Sequence, residues 1–488
     1  MSSLSESSVL AGASGATADP GYVVDQSIRF NNDDSAYLSR SQPTTTTTNK
    51  LFTISFWIKR SVGTVAVVWC GHLNNSNYNW MGFNNDDTFF TQFYSGGSNI
   101  FVQTTTRKFR DPAAWYHMVY IYDSAEAISS ERTRLYVNGE RTDLAQYTSN
   151  TLYPSQNGST YWIYTGVTNY IGLKPHTTVY SDFSVAELAM FQDQEYGPEN
   201  FGETKTGTDI WVPKDGIADL NFGDSGFYIK GEDSSDLGND SGTANSGNGY
   251  DFTASGLAAN DQITDSPTNN FAVLNSIDKG GNTTLANGDL EFQSSSDGGV
   301  RSTVFFNAAK YYIEAIVGTF GSGFSFGIAN IDRSLTADSG EDLADFYGWY
   351  INPLQNWIAS GSNPWNTGSN SNSGSLHVMQ MAVDATDADS IKLYAGINNT
   401  YYNSSGGTDG NPSSGSNPTA TITGGEQWSI GFWNRNASAS NIIVNFGQEG
   451  TFAGNKTAGG NSDSNGIGNF FHSVPTGFRA LCTKNIGS

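Results

Sequence analysis

Basic residues are scarce in this chain. Only 15% of its 488 residues are charged, and 24 Lys and Arg stand against 47 Asp and Glu, which gives a formal net charge of −23 at pH 7. Such an excess of negative charge disfavours nonspecific attraction to nucleic acid and favours solubility. No basic stripe along the sequence offsets it. We therefore expect no nucleic acid among the partners of this protein.

Cysteine is nearly absent as well. Cys70 and Cys482 are the two cysteines, and neither lies in a CxxC pair or beside a cluster of histidines. A metal finger and a disulfide framework are thus unsupported. We expect reduced thiols, as in a protein assembled in a cytosolic environment, with a bridge between the two halves of the chain as the alternative.

Long apolar runs are also missing. The longest, Val65 to Cys70, is far too short to span a bilayer. Residues 1–21 lack the basic and apolar regions of a standard secretion signal. These features predict a soluble protein with no membrane insertion.

Periodic runs of helix formers are rare, whereas Gly, Ser, Thr and Asn are abundant. This composition favours short strands joined by turns, and the length favours more than one domain. We predict an all-β protein with two antiparallel β-sandwich domains joined by an acidic Gly/Ser/Asn-rich linker. The predicted segments are a docking tail (1–22), a first sandwich (23–223), a linker or surface strap (224–270) and a second sandwich (271–488).

Two local patterns support the first sandwich. Phe52, Ile54, Phe56 and Ile58 alternate along "LFTISFWIKR", which places them on one face of a strand, while Trp57 indicates that the other face is partly covered. Asn138-Gly139 within "RLYVNGER" is the dipeptide that tolerates positive φ at both centres of a hairpin turn.

Two patterns stand out in the second sandwich. Met379, Met381 and Val383 alternate with less apolar neighbours, as in a sheet with unequal faces. The polar stretches 359–375 and 403–419 read as long loops, where binding residues usually lie.

The N-terminal segment is small and polar, with too little apolar surface to order itself alone. Its short apolar piece, Ser8 to Ala13, contains Val9 and Leu10, which we predict to dock onto a partner. The alternative is a frayed tail without a partner.

The two halves resemble different β-sandwich families. The runs "FTISFWIKR", "WYHMVYIY", "RLYVNGE" and "YSDFSVAELAMF" make the region from Asp25 to Gly223 similar to the laminin-G-like, concanavalin-type lectin sandwich. The runs "KYYIEAIV", "FSFGIAN", "WSIGFWN" and "VNFGQEGTF" make the region from Phe271 to Ser488 similar to a SPRY-type sandwich with expanded loops.

Two further runs, "QDQEYGPENFGE" and the opening "MSSLSESSVLAGASGA", resemble segments of structural and tail-fibre-like proteins of marine bacteriophages. This resemblance implies a virion surface protein, such as a tail fibre, spike or capsid fibre, assembled in the host cytoplasm. It would attach to host glycans as a homotrimer and bind other virion proteins through its tail. The alternatives are a structural decoration or cement protein without a host ligand, and a glycan depolymerase.

Catalytic signatures are lacking. The concanavalin-type fold also hosts glycanases, which need two carboxylates flanking a cleft, but no acid-x-acid triplet lies on a predicted strand. Asp182 and Glu187 would face opposite sides of a regular strand. The five histidines are scattered, and His117 is predicted to be a hydrogen-bonded structural residue. We expect a protein that is not an enzyme, with no catalytic residues.

Calcium is a candidate ligand, because lectin-type sandwiches of this resemblance hold it at a loop rim through carboxylate and amide oxygens. Asp86 and Asp87 in "NNSNYNWMGFNNDD" are the candidate metal ligands, and "NNDD" at Asn31 to Asp34 is a second possibility. The alternative is that these are solvated turn residues. No other cofactor is expected.

Carbohydrate binding is the third candidate chemistry, since flat sugar faces stack on aromatic rings beside Asn and Asp. Tyr78, Trp80, Trp357 and Trp365 lie in contexts rich in Asn, Ser and Gly and are the candidate carbohydrate-binding residues. The alternative is that these rings pack under their own loops or against a neighbouring subunit.

Overall fold

The computed structural model describes residues 21–42, 49–146, 152–242, 250–306, 308–317, 324–335, 345–352, 354–359, 362–370, 377–423, 426–434 and 440–486. The chain divides into two compact units, the first ending at Thr268 and the second beginning at Asn269. Nearly all regular structure in both units is antiparallel β-sheet. The predicted all-β class with two antiparallel sandwiches is therefore confirmed.

In the first unit the described residues form twenty strands. They are β1 (Ser27–Phe30), β2 (Tyr37–Ser41), β3 (Leu51–Arg60), β4 (Ala66–Asn74), β5 (Asn77–Phe83), β6 (Thr88–Ser95), β7 (Ser98–Lys108), β8 (Tyr116–Asp123), β9 (Thr133–Val137), β10 (Glu140–Thr142), β11 (Leu144–Gln146), β12 (Thr168–Ile171), β13 (Leu173–Lys174), β14 (Val179–Tyr180), β15 (Phe183–Gln192), β16 (Gly202–Thr204), β17 (Trp211–Pro213), β18 (Phe227–Ile229), β19 (Thr253–Ser255) and β20 (Gln262–Ile263). Short 3-10 helices lie at Ser129–Glu131, Pro198–Asn200, Ile217–Asp219 and Ala259–Asp261.

Two large sheets form the first unit. The first sheet has the order β10-β9-β8-β3-β15-β1-β20, with β18 also paired to β15, and the second sheet has the order β11-β7-β6-β5-β4-β12-β2-β19. Side chains from both sheets meet in one buried core that includes Phe52, Ile54, Phe56 and Ile58. The predicted alternation along β3 is thus confirmed, because one face of this strand points into a sandwich core.

The hairpin predicted at Asn138-Gly139 is confirmed. Asn138 has a φ of 51° and Gly139 a φ of 82°, and Val137 pairs with Glu140 across the turn. A two-residue turn of this kind needs positive φ at both centres, which Asn and Gly adopt with the least strain.

The stretch 224–270 is predicted as a linker or strap, and it contributes β18 and β20 to the first sheet and β19 to the second. Its acidic residues form buried ion pairs with cations on the sandwich strands: Arg29 with Asp261 at 3.2 Å, Lys59 with Asp265 at 2.7 Å and Arg40 with Asp240 at 3.9 Å. The same acids that suggest a solvated linker in the sequence therefore fasten the segment to the sandwich.

In the second unit the described residues form fifteen strands and one short helix. They are β21 (Leu274–Lys279), β22 (Thr283–Ala286), β23 (Glu291–Ser294), β24 (Gly298–Phe305), β25 (Lys310–Val317), β26 (Phe324–Asn330), β27 (Phe346–Asn352), β28 (Leu354–Ala359), β29 (Ser362–Asn370), β30 (Val378–Asp384), β31 (Ser390–Ile397), β32 (Thr400–Tyr401), β33 (Ala420–Thr423), β34 (Trp428–Asn434), β35 (Ser440–Asn445) and α1 (Thr483–Ile486).

These strands form a third sheet, β21-β24-β34-β26-β27-β28-β29, and a fourth sheet, β22-β23-β35-β25-β30-β31-β32, with β33 paired to β31. Met379, Met381 and Val383 lie in the core between the two sheets, which confirms the period-two pattern of β30. The loop predicted over 359–375 is wrong in part, because residues 362–370 form the edge strand β29, in which Trp365 pairs across the ladder with Trp357. Cross-strand aromatic pairs stabilise such an edge despite its polar sequence.

Candidate functional site

A pocket opens on the outer face of the first sheet, which is the face directed away from the core of the first unit. Its volume is about 280 Å³, and three tryptophans, Trp57, Trp115 and Trp211, line it. Trp57 belongs to the outward-facing set of β3, opposite the buried phenylalanines and isoleucines. The remaining wall comes from the β9–β10 hairpin, the end of β7, residues 209–212 and Pro267.

Trp57, His117 and Trp211 form a layered stack. The ring centroids of Trp57 and His117 lie 4.8 Å apart and those of His117 and Trp211 lie 6.0 Å apart, with interplanar angles of 26° and 22°. The Trp211 indole N–H donates to His117 Nδ1 at 2.9 Å, and His117 Nε2 lies 2.9 Å from Ser55 Oγ. Since indole can only donate, His117 Nδ1 is the acceptor and the ring proton lies on Nε2.

Burial lowers the pKa of His117 to about 3, so its imidazole is neutral at physiological pH. A neutral imidazole is the form that can accept from Trp211 and donate to Ser55 at once. His117 is therefore the hydrogen-bonded structural residue predicted from the sequence. Its role here is to orient the Trp211 ring at the pocket.

The Trp211 ring packs directly against two glycines. A Cβ added at Gly139 would lie 2.6 Å from the Trp211 ring, and one added at Gly202 would lie 2.5 Å from it. The hairpin turn at Gly139 and the start of β16 at Gly202 thus form a slot that only glycine leaves open. The turn chemistry visible in the sequence therefore also shapes the pocket.

Trp115, on the other side of the pocket, is hydrogen-bonded to the C-terminal segment of the first unit. The Trp115 indole N–H donates to Asp265 Oδ1 at 3.1 Å, while Lys59 Nζ binds Asp265 Oδ2 at 2.7 Å. Asp265, which lies two residues before Pro267, thus binds both Trp115 and Lys59. These two partners satisfy the hydrogen-bonding capacity that a buried carboxylate needs. Residues from both ends of the first unit are needed to build the pocket.

One polar atom in the pocket wall has no partner. Trp57 is 3% exposed, and its Nε1 is buried without a hydrogen-bond acceptor among the residues that the structure describes. A buried N–H without an acceptor costs about 1 to 3 kcal/mol, so native structures seldom leave one unpaired. An acceptor atom of a ligand that reached this N–H would satisfy it.

The mouth of the pocket carries charges of both signs. Arg107, Glu140 and Asp209 line it, and all three are exposed. Within the described ranges none of them forms an ion pair, and Arg107 packs its guanidinium 5.4 Å from the Phe109 ring. These side chains are free to bind hydroxyl groups, since carboxylates accept and guanidinium donates.

Part of the first unit matches a protein-family model. Residues 30–194 match the laminin G family model described as the "Concanavalin A-like lectin/glucanases superfamily". The first unit contains a laminin G-like domain. The pocket combines side chains of this domain, such as Trp57 and Arg107, with Trp211 and Pro267 from beyond the matched residues.

Three solved structures similar to the chain illustrate the match. Domains LG4-5 of the mouse laminin alpha1 chain share 10% identity, cover 96% of this chain and 89% of their own, and give a TM-score of 0.29. The native heptameric SAP-like pentraxin from Limulus polyphemus shares 16% identity over 37% of this chain and 80% of its own, with a TM-score of 0.24. The SPRY domain of human HERC1 shares 12% identity over 33% of this chain and 91% of its own, with a TM-score of 0.24. No curated protein matches the chain by sequence.

None of the four rings predicted to bind carbohydrate lines this pocket. Tyr78 and Trp80 lie on β5, on the outer face of the second sheet of the laminin G-like domain, and each is 4% exposed. Trp357 is 1% exposed in the core of the second unit. Trp365 is half-buried and stacks on Trp357, with centroids 6.1 Å apart. The structure thus brings these residues together in two pairs, and their binding role stays a prediction.

The two carboxylates predicted to bind metal have cationic partners in the laminin G-like domain. Asp87 binds Arg60 at 3.1 Å and Arg110 at 3.4 Å. Asp86 lies 4.0 Å from Lys108 Nζ and accepts from the Thr88 hydroxyl at 2.7 Å. Among the described residues no three His, Cys, Asp or Glu side chains are grouped to hold a metal ion.

At the second possible calcium site, the Asn31 amide donates to Asp34 at 2.8 Å. Val9 and Leu10, the predicted docking residues, lie outside the described residues. None of the helices that the structure describes is long and apolar enough to cross a bilayer.

The acids considered for catalysis are separated by a break in β15. The register of β15 shifts between Ala186 and Ala189, and Glu187 has a φ of 53° at this bulge. Glu187 is buried and accepts from the hydroxyls of Tyr22, at 3.0 Å, and Tyr228, and burial raises the pKa of its carboxyl. Asp182 precedes the strand, accepts from the Asn32 backbone N–H at 2.9 Å, and has a pKa raised by burial to about 6. β15 is thus not the regular strand that the sequence suggests.

Sequence reasoning missed most of the pocket. Trp57, His117 and Asn138 stand out in the sequence only as fold residues, and Trp211 lies in the run "GTDIWVPKDG" without a binding pattern. Trp57, Trp115 and Trp211 converge only because residues 194–222 cross the outer face of the first sheet. The outward-facing Trp57 is the one sequence signal that another segment covers this face of the sheet. A sheet face that is exposed to solvent seldom carries a tryptophan.

Proposed function

We propose that the first unit is a carbohydrate-binding module whose ligand occupies the pocket on the first sheet. The observation that carries this proposal is the buried, unpartnered Nε1 of Trp57 in a wall of three tryptophans, beside exposed Arg107, Glu140 and Asp209. Rings for apolar sugar faces and polar groups for hydroxyls are the two elements of carbohydrate recognition.

The pocket volume limits the size of the ligand. About 280 Å³ lies just below the range of roughly 300 to 1,000 Å³ for small-molecule sites. A single sugar residue at the end of a glycan fits such a space better than the middle of a chain does. In this arrangement Trp57 donates to a ring or hydroxyl oxygen, and the charged side chains at the mouth bind the outer hydroxyls.

Replacing Trp57 with Phe tests the proposal directly, because it removes the N–H and keeps an aromatic ring. A glycan array on the intact protein identifies the ligand, and isothermal titration calorimetry then measures its affinity. We expect W57F to weaken binding by about three- to tenfold, as for the loss of one hydrogen bond. We expect D209N and E140Q to weaken it as well, since each removes a charged acceptor.

Matched controls separate binding from folding. Trp162 also has a buried, unpartnered Nε1 in the described chain but lies in the core of the first unit. W162F should therefore cost comparable stability and leave the affinity unchanged. D236N, at an exposed acid away from the pocket, is the control for D209N. Equal affinity of W57F and the native protein would refute the proposal.

The proposed setting of this binding is the surface of a bacteriophage particle, on a tail fibre, spike or capsid fibre that attaches to host glycans as a homotrimer. What supports this setting is the run "QDQEYGPENFGE" and the opening "MSSLSESSVLAGASGA", with their resemblance to phage fibre proteins. A module held in several copies on one particle gains avidity from weak single sites.

Deleting Met1 to Pro20 should give a folded, glycan-binding protein that is absent from assembled particles. Quantitative mass spectrometry of purified particles measures the incorporation of the truncated chain against the full-length chain. Incorporation at normal stoichiometry would rule out docking through the tail. A full-length chain that incorporates but binds nothing on the glycan array would favour the alternative, a structural decoration protein.

A further inference from the structure

Lys174 lies over aromatic rings on the outer face of the second sheet, the opposite side of the first unit from the pocket. Its Nζ is 4.8 Å from the Trp80 ring centroid and 5.6 Å from that of Tyr78. Lys174 ends β13, which forms a two-stranded hairpin with β14 beside β4. An ammonium in this position is attracted by the ring faces, yet it keeps the capacity to donate three hydrogen bonds.

The surroundings of Lys174 contain no counter-charge. No Asp or Glu pairs with it in the described part of the chain, and it is half-buried. The strands of the second sheet, β2, β4 to β7, β11, β12 and β19, contain no acidic residue, although the whole chain has 47. The nearby Cys70 thiol is buried, which raises its pKa to about 12, so it is neutral. Burial without a counter-ion lowers the pKa of Lys174, and a bound anion would supply the missing charge.

Rings and amides flank the ammonium. Tyr78 stacks on Tyr94, with centroids 4.8 Å apart, and on His176, with centroids 5.0 Å apart. Gln92 accepts from the Trp80 indole at 2.5 Å and donates to Asn99 at 2.5 Å. Tyr94, His176 and Gln92 are all partly exposed. Flat rings and amides beside a cation suit a sugar that carries a carboxylate better than they suit a small inorganic anion, which needs neither.

We propose that this surface, the Lys174 patch formed by Tyr78, Trp80, Gln92, Tyr94, Lys174 and His176, binds an acidic polysaccharide through a uronate carboxylate paired with Lys174. The half-buried rings Tyr94 and His176 contact the sugar faces, and the Gln92 amide binds a hydroxyl. This second site takes a charged ligand and does not depend on the pocket, so the two proposals can fail separately.

Isothermal titration calorimetry with oligogalacturonate and with its methyl ester tests the assignment, since the two probes share a backbone and differ in charge. We expect the native protein to bind oligogalacturonate at least about tenfold more tightly than the ester, with an affinity that falls as salt rises. K174M keeps the aliphatic stem over the rings and should lose about tenfold or more. K174R keeps the charge and should stay within about threefold of the native affinity.

Three comparisons make the result decisive. Poly-L-glutamate carries the same carboxylates without sugar rings, and equal affinity for it would overturn the carbohydrate part of the proposal. Undetectable binding of oligogalacturonate, or unchanged affinity in K174M, would overturn the site. W57F and D209N should bind oligogalacturonate normally, and a loss there would move the binding to the pocket. Thermal melts of each variant confirm that it is folded.

Discussion

Replacing Arg40 with Met should destabilise the first unit by about 3 to 5 kcal/mol, as is usual when one partner of a buried ion pair is removed. Arg40 lies on β2 and is 5% exposed. Its guanidinium donates to the carbonyls of Ser225 at 2.7 Å and Tyr250 at 3.2 Å, and lies 3.9 Å from Asp240. The variant would leave the buried Asp240 carboxylate without its counter-charge and these carbonyls without their donor.

The loss of cation–π contacts with two aromatic rings adds to the expected loss of stability. The Arg40 guanidinium lies 5.0 Å from the Phe227 centroid and 4.7 Å from that of Phe252. Both phenylalanines belong to the stretch predicted as a linker, so Arg40 joins this stretch to the second sheet through charge, hydrogen bonds and cation–π contacts. Met restores only the apolar part of these contacts.

Urea denaturation of the native protein and the variant measures the effect, and limited proteolysis locates it. We expect R40M to be cut first within residues 226–252, because that segment loses its attachment. R40K, which keeps the charge but not the planar donors, should lose about 1 to 3 kcal/mol, and its partial effect remains informative if R40M does not fold. R110M, at an exposed arginine, is the matched control and should change stability by less than about 0.5 kcal/mol. Unaltered stability of R40M would show that the stretch is held in another way.

The second large effect is a pH dependence set by Glu314 in the second unit. Glu314 on β25 is fully buried and accepts from the backbone amides of Phe471 and His472, both at 2.8 Å, and from the Tyr312 hydroxyl at 2.8 Å. Burial raises the pKa of Glu314 to about 7, from an ordinary value of 4.5. The carboxyl therefore sits between the fourth sheet and the chain that follows β35.

The folded protein keeps a proton on Glu314 at pH values where the unfolded chain has released it. The stability that Glu314 contributes is therefore fully present below about pH 4.5 and is lost as the pH rises through about 7. A shift of this size corresponds to a loss of about 3 kcal/mol between these limits. We expect the native protein to become less stable between pH 5 and pH 8, and E314Q to lack this part of the dependence.

Urea denaturation at a series of pH values, with hydrogen exchange of the peptide containing Phe471, measures this difference. Asp182 in the first unit also has a pKa raised by burial, to about 6, so D182N is the matched control. D182N should alter the pH dependence of the first unit and leave exchange at Phe471 unchanged. If E314Q and the native protein lose stability in parallel from pH 5 to pH 8, Glu314 does not titrate in this range.

Local patterns predicted the fold class well. The alternation along β3 and β30 and the Asn138-Gly139 turn depend on the backbone geometry of a few neighbouring residues, and such geometry is visible in sequence. The attachment of the stretch 224–270 to the sandwich is not visible in its sequence. Its acids pair with Arg29, Arg40 and Lys59, which lie far away in the chain, and composition cannot reveal partners that only folding brings close.

The candidate sites likewise depend on contacts that the sequence does not reveal. Tyr78 and Trp80 have the sequence context of a sugar site, yet neighbouring strands and the β13–β14 hairpin bury their rings. Trp211 lacks such a context, yet it lines the pocket because Gly139 and Gly202 leave room for its ring. Whether an aromatic ring is exposed depends on which segments cover it.

The sequence by itself determined the all-β class, the strand alternation, the hairpin turn and the resemblance of residues 30–194 to laminin G domains. Tertiary structure alone decided that Trp57, Trp115 and Trp211 share one pocket and that Lys174 lies over aromatic rings, with no counter-charge among the described residues. The physical reason is the range of the interactions. Alternation and turns act between near neighbours, whereas a pocket and an unpaired charge arise from residues that meet only when the sheets close.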